Sequence, residues 1–395
     1  MKTLKHLLAG LVLTGESDSV QGLPEDQLQN LIGLALQEGL APLLYWRLSK
    51  SGYFSSLPVP IRDTLRAAYA ATWAQNQSIL RELAKISGAF ERAGIPLVVL
   101  KGACFLLTLY EDIGLRPMGD LDLLVPAAWF DLALQTAQAL GYQDQIPEPA
   151  PGLRAMLNHE VCLQKPGLTF ALEIHHSLVA DKTYSYAVPV DWFWTQSEPL
   201  SAPAPGARFG ALLMLSPEAQ LLYAASHAML QHGGQRSPLR WFYDIDRLVR
   251  YYQPRLDWNL VLAQAVRFEW GSALAAALDQ AVDYFDTPIP DSVRRALSAQ
   301  SDRHQGLVSQ KQTQPATHTL LEYQKFKTMN REARFRFVLA LGFPSPAYMR
   351  WRYRFQSAWL LPWYYLRRAL GILKDGLWTL FVLLRQALPF WNSKR

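Results

Sequence analysis

Three stretches decide the fold: Leu100-Lys101-Gly102-Ala103, then Arg116-Pro117-Met118-Gly119-Asp120-Leu121-Asp122-Leu123-Leu124-Val125, then Ala171-Leu172-Glu173-Ile174-His175. The first closes a short β-branched run, Ile95 to Leu100, whose length and composition read as a buried strand. Lys101-Gly102 ends that run, and a helical segment, Ala103 to Tyr110, follows. Leu121 to Val125 reads as the next strand, and Pro126 to Leu140, closed by Gly141, as a helix. His159 to Gln164 and Leu168 to His176 alternate around Lys165-Pro166-Gly167, the pattern of a hairpin. Residues 94–198 are therefore expected to form a small mixed-sheet α/β (α+β) core.

Working outward, the flanks read as helical. Pro24-Glu25-Asp26 places Pro and two acids in a first turn, Leu28, Leu31, Ile32 and Ala35 follow at helical spacing, and Gly39 can stop the helix. Ile61 to Ala93 carries one long apolar stripe from Leu65 to Phe90. Ser216-Pro217-Glu218 opens another helix. Pro199 to Gly206 is the expected linker, which divides the chain into an N-terminal helical region (1–93), the core (94–198), a helical C-terminal domain (207–345) and a tail (346–395).

Asp120 and Asp122 stand two apart where an apolar strand begins, so their side chains share one face. Paired carboxylates on a buried strand repel unless a cation neutralises them. Mg²⁺ suits oxygen ligands and brings substrate phosphates with it, and Mn²⁺ is the alternative. Glu173 projects from a second apolar strand, and three carboxylates from neighbouring strands make a two-metal phosphoryl-transfer site. Gly102, between strand and helix, lets backbone N–H groups approach a phosphate at a helix N-terminus, and Ala103 is small enough to keep the approach open. Lys101 and Arg116 supply positive charge for a triphosphate.

This arrangement resembles the DNA polymerase beta-like nucleotidyltransferase superfamily, marked by h-G-[GS], D-h-[DE]-h and a third acidic strand. It is more similar still to a bacterial group of uncharacterised nucleotidyltransferases marked by L-K-G-x-x-h, R-P-x-x-D-h-D-h-L-V and h-E-h-H, here Leu100–Phe105, Arg116–Val125 and Leu172–His175. The resemblance spans about residues 25–250, including His227 and Trp241–Leu248. Ala103 departs from the superfamily's usual Gly or Ser, and Gly102 lies 18 residues before Asp120, a longer gap than usual. The resemblance implies transfer of a nucleoside monophosphate from an NTP to a hydroxyl acceptor, with Asp120, Asp122 and Glu173 as catalytic metal ligands and Lys101, Gly102, Ala103 and Arg116 at the nucleotide. The alternative is a non-catalytic nucleotide-binding or scaffolding member of the same fold.

Plainer roles stand beside these. Asp120 can cap a turn after Gly119, Glu173 can face solvent from an edge strand, Lys101 can snorkel, and Arg116 can pair with Glu111 or Asp112. His175 shares a face with Glu173 and can orient a metal-bound group or the acceptor. His227 and His232, five apart, are expected to pack rather than to bind metal. Asp244 and Asp246 lie on a helix, where such residues diverge, and match D-x-D only in letters.

Half of the 395 residues are apolar and 12% aromatic, which excludes a disordered, collagenous or coiled-coil chain. Two cysteines cannot build a disulfide framework, and no Cys/His set stands at zinc spacing, so a reducing cytoplasm is expected. Lys2 and Lys5 precede the apolar Leu7–Leu13, but Thr14-Gly15-Glu16-Ser17-Asp18 follows where a signal peptide needs small residues; an amphipathic helix is expected instead. The net charge of +6 is uneven: Pro346 to Arg395 holds nine Lys/Arg and one acid, and the rest holds 30 basic and 32 acidic residues. A basic tail does not make the body a nucleic-acid binder. That tail interleaves aromatics from Tyr348 to Tyr365 with Arg350, Arg352, Arg354, Arg367 and Arg368. Its longest charge-free runs fall short of the roughly 20 residues needed for a membrane span. A helix from about Leu366 to Leu388 is expected to bury its leucines on the body; contact with an anionic membrane surface or stacking on nucleic-acid bases are the other readings.

Overall fold

The computed structural model describes residues 4–15, 20–144, 146–150, 158–178, 188–200, 209–232, 234, 237–298, 326, 329 and 331–387, with 333 and 379–387 described by backbone alone. The chain forms two compact units, residues 1–143 with 162–305, and residues 144–161 with 306–395.

The first unit opens with α1 (Leu4–Thr14), α2 (Glu25–Gln37), α3 (Ala41–Lys50) and the long α4 (Val59–Arg92). The apolar run of α1 puts Leu8, Leu11 and Val12 into the main core rather than at a surface. Glu25 and Asp26 sit in the first turn of α2, and Gly39, at φ +70°, takes the left-handed turn between α2 and α3 that suits glycine. Buried Ile61, Leu65, Ile79, Leu83, Ile86 and Phe90 trace the expected stripe of α4.

After α4 come β1 (Val98–Val99), α5 (Lys101–Leu109), β2 (Asp120–Leu124), α6 (Phe130–Ala139), β3 (Gln143–Asp144), β4 (Glu160–Gln164), β5 (Ala171–His175), α7 (Val190–Thr195), β6 (Ser197–Pro199) and β7 (Leu213–Leu215). The strands form one mixed sheet in the order β3-β4-β5-β2-β1-β7-β6. β2 pairs antiparallel with β1 and parallel with β5, and β1 pairs parallel with β7. The fold is thus the expected mixed-sheet α/β core with helical flanks. The strand expected over Ile95 to Leu100 is a ladder only at Val98–Val99, with single bonds on either side from the Leu213 N–H to the Leu97 carbonyl and from the Leu100 N–H to the Asp122 carbonyl; Pro96 has no N–H to donate. The helix expected from Pro126 starts instead as a 3₁₀ turn, Ala127–Trp129, and continues as α6. The expected linker begins inside β6, and its residues 201–206 lie outside the described residues.

Beyond the sheet run α8 (Pro217–Ser226), a π-helical turn (His227–Gln231), α9 (Leu239–Tyr252), α10 (Trp258–Arg267) and α11 (Gly271–Phe285). The Ser216 hydroxyl caps α8 by accepting the Ala219 N–H. Side chains of α8, α9 and α11, among them Leu221, Phe242 and Phe285, share one core with those of α1.

The second unit contains α12 (Arg331–Gly342), α13 (Pro346–Tyr353) and α14 (Leu361–Ala387). Ser345 caps α13 and also donates its hydroxyl to the Glu148 carbonyl at 2.7 Å. Phe355 stacks on Tyr364 at 4.3 Å, which fixes the start of α14 against the end of α13. The tail helix begins five residues earlier than expected, since proline at position 362 is tolerated in a first turn; its expected end, Leu388, lies outside the described residues. The expectation that its leucines are buried is overturned: Leu366, Leu370, Leu373 and Leu377 are 54–68% exposed. Among the described residues no helix is long and apolar enough to cross a membrane.

Candidate active site

The in-register parallel pairing of β2 with β5 sets Asp122 beside Glu173 and Leu124 beside His175. Period-two alternation sends Leu121, Leu123, Leu172 and Ile174 into the opposite, fully buried face. Donor atoms of Asp122, Glu173 and His175 all lie within 4.8 Å of one another. His175 Nε2 is 3.0 Å from Asp122 Oδ1 and 3.8 Å from Glu173 Oε2. Asp120, on the same face as Asp122, stands opposite Ala171 and is outside that cluster of three.

Lys101 enters from the neighbouring strand end. The Leu100 N–H bonds to the Asp122 carbonyl, and the chain then turns sharply into α5 with Lys101 at φ +34°. A left-handed lysine carries strain on the order of 1 kcal/mol, and here it sends Nζ to 3.3 Å from Asp122 Oδ1. The first helical bond of α5 is Cys104 N–H to Leu100 C=O, so the Gly102 and Ala103 N–H groups precede the ladder. The Ala103 side chain itself is buried. A Cβ on Gly102 would stand 2.9 Å from Arg116 Nη1 and 3.2 Å from Met118 Sδ, so glycine here admits the guanidinium to the helix N-terminus.

Arg116 is buried and does not pair with Glu111 or Asp112. Its partner is Asp244 on α9, reached through three bonds of 2.9, 3.1 and 2.7 Å, and Tyr110 donates to the same carboxylate at 2.6 Å. Asp246 turns the other way, to Arg250 and Thr287, so the two acids of α9 diverge as their helical spacing requires.

The electrostatics follow from this crowding. Burial pushes the Asp122 carboxyl up, but Lys101 and the His175 hydrogen bond outweigh it and hold the group well below the usual carboxylate range. Burial, then Asp122, raises Asp120. For Lys101, burial opposes the charge and Asp122 overrides it, so the ammonium persists.

Arg240 was not singled out by sequence reasoning, and His227 and His232 were expected only to pack. Arg240, at the start of α9, has a buried Nε without a hydrogen-bond partner, and among the described residues no carboxylate lies within ion-pair distance of it. Burial and Arg116 both disfavour its charge, while Asp244, then Tyr110 and Asp120, support it. Gly39 makes room for it, since a Cβ there would stand 2.6 Å from Nη1. His227 and His232 do pack, both rings against Trp241, but their Nε2 atoms are 3.2 Å apart. Their five-residue spacing suits a π turn, which the helical reading did not anticipate. Burial, then Lys101, holds the His227 imidazole well below its ordinary value.

A mixed sheet that presents acids from two adjacent strands, beside a Lys-Gly turn into a helix, is the arrangement that the resemblance to nucleotidyltransferases led us to expect. Residues 24–286 match the family of uncharacterised nucleotidyltransferases, and the chain belongs to that family. Among solved structures it is similar to an antigenic nucleotidyltransferase-like protein from Paracoccidioides brasiliensis, at 15% identity and a TM-score of 0.34, covering 58% of this chain and 94% of that one. No curated protein matches the chain.

Proposed function

We propose that the protein transfers a nucleoside monophosphate from an NTP to a hydroxyl acceptor and releases pyrophosphate. The observation that carries this reading is the side-by-side register of Asp122 and Glu173, with His175 and Lys101 converging on the same carboxylate. Two carboxylates and an imidazole within 4.8 Å fit Mg²⁺ or, with its greater tolerance for nitrogen, Mn²⁺. Asp122 and Glu173 would hold the metal, with Asp120 joining from the same face of β2; when bound it supplies Lewis-acid polarisation of the phosphoryl oxygens.

The chain's own groups do the rest. The Gly102 and Ala103 N–H groups and the Lys101 ammonium receive the triphosphate at the start of α5. Arg116 keeps a fixed positive charge beside that helix end, and Arg240 adds a cation that makes no ion pair among the described residues. Glu173, the most exposed of the cluster, accepts the acceptor's proton as its oxygen attacks the α-phosphorus and the bond to pyrophosphate breaks. The setting is the cytoplasm, which supplies NTPs.

The test is incubation with α-labelled NTPs, Mg²⁺ or Mn²⁺, and hydroxyl acceptors of several classes. Asp122→Asn and Glu173→Gln are each expected to transfer label at least about 100-fold more slowly. Transfer at the wild-type rate by the Asp120→Asn/Asp122→Asn double variant overturns the assignment. Metal-independent NTP binding with no turnover makes the protein a nucleotide-binding scaffold.

A further inference from the structure

We infer that α14 is a docking surface for an anionic lipid bilayer, on which it lies flat. Its exposed side is fixed by what holds the other side. Tyr364 stacks on Phe355 and Tyr353, the Tyr365 hydroxyl bonds to the Pro344 carbonyl, and Arg368 Nε donates to the Leu341 carbonyl at 2.8 Å. With that face held against α13 and the end of α12, Leu366, Leu370, Leu373 and Leu377 stack one above another at i, i+4, i+7 and i+11. Trp363 stands beside them, and Trp359 just ahead of the helix is 93% exposed.

Charge complementarity selects the occupant. Arg367 and Lys374, seven residues apart, run along one edge of the leucine stripe, and residues 346–395 hold nine basic residues against one acid. A helix with leucine and tryptophan on one face and basic residues at its margin is the pattern of an interfacial helix, attracted by anionic headgroups and anchored by acyl contact. A second copy of the same helix would bring like charges together at that edge, where a dimerising helix sets opposite charges. Lys374-Asp375 in mid-helix, and the absence among the described residues of a long enough apolar helix, place it on the bilayer rather than through it. The acceptor chemistry would then take place at a membrane surface.

The test uses the full-length chain sedimented with vesicles of equimolar phosphatidylcholine and phosphatidylglycerol, against phosphatidylcholine alone. Binding is expected only to the anionic vesicles and is expected to fall as salt rises. Leu370→Glu/Leu377→Glu and Arg367→Glu/Lys374→Glu each alter exposed side chains and should keep the wild-type circular dichroism. Each is expected to reduce binding about tenfold or more. The inference is overturned if neither vesicle binds, or if neutral vesicles bind equally and the charge variant changes nothing. It is also overturned if the leucine variant abolishes a dimer seen by light scattering without affecting sedimentation. An oligonucleotide complex lost only in the charge variant, with no vesicle binding, overturns it in favour of nucleic acid. NTP turnover in solution is expected to survive both variants, so failure here and failure of the catalytic assignment are read separately.

Discussion

Replacing Asp244 with asparagine tests how the segment between α5 and β2 is tied to the helical half of the first unit. Asp244 is buried on α9 and takes three bonds from the buried Arg116 guanidinium, at 2.9, 3.1 and 2.7 Å, across 128 residues of chain. Asparagine keeps the volume but removes the charge that Arg116 was desolvated to meet. Leaving a buried cation without its counterion costs about 3–5 kcal/mol. For a unit of this size each kcal/mol lowers the melting temperature by about 2–4 °C, so a fall of roughly 10 °C is expected. Urea titration and calorimetry read the loss directly. The Arg116→Met/Asp244→Leu double variant, which removes both charges and fills the space, is expected to recover more than half of it. If Asp244→Asn stays within about 1 kcal/mol of wild type, or the double variant is no better, the pair is not a buried tie and the reasoning fails.

Gly39→Ala forces a side chain into a left-handed turn at φ +70° and against Arg240 Nη1, 2.6 Å from the new Cβ. A stability loss of about 1–2 kcal/mol is expected, with a higher KM for NTP and a nearly unchanged kcat; Arg240→Ala should raise KM in the same way, and steady-state kinetics with an unchanged KM for Arg240→Ala removes it from the phosphate side. Glu82 on α4 is buried and accepts from Lys85 at 2.6 Å, Lys165 at 2.9 Å and Tyr142 at 3.1 Å. Burial raises its carboxyl, but Lys165, Lys85 and Tyr142 together lower it below the ordinary value. A depressed folded-state value means the stabilisation is fully present above the unfolded value of about 4.3 and is lost as pH falls through the lower folded value. Glu82→Gln should therefore cost about 1–3 kcal/mol at neutral pH and much less in acid, read from urea midpoints across pH.

Local patterns carried the sheet and the acids. Leu121, Leu123, Leu172 and Ile174 alternate with Asp122 and Glu173, and a two-residue period is legible without knowing the partner strand. The same holds for the capped start of α8 and the stripe of α4. Contacts between distant segments were hidden. Arg116 had Glu111 and Asp112 within reach by count, yet folding brings Asp244 to it, because α9 packs beside α5. Arg240 carried no local mark beyond standing next to Trp241. The pairing of His227 with His232 depended on a π turn, whose spacing a 3.6-residue period does not reveal. On the tail, the amphipathic pattern gave the helix, but nothing in the pattern says which side other helices of its unit cover.

The side-by-side register of β2 and β5 also acts as a check on assembly. A slip of one residue would turn Glu173 toward the face where Leu123 and Ile174 lie, burying a carboxylate among hydrocarbon at several times the cost of an ordinary mispairing. That error eliminates itself. A slip of two residues is different, since every apolar side chain keeps its face while Glu173 moves about 6.6 Å along the sheet, away from Asp122. Bonds just beyond the ladder, from the Ala171 N–H to the Gly119 carbonyl at 3.3 Å and from the Val125 N–H to the His175 carbonyl at 2.9 Å, belong to the in-register arrangement alone. A chain slipped by two residues would keep its hydrophobic pattern and lose the alignment of its acids, so backbone bonds at the two ends of one ladder guard what the hydrophobic pattern alone leaves open.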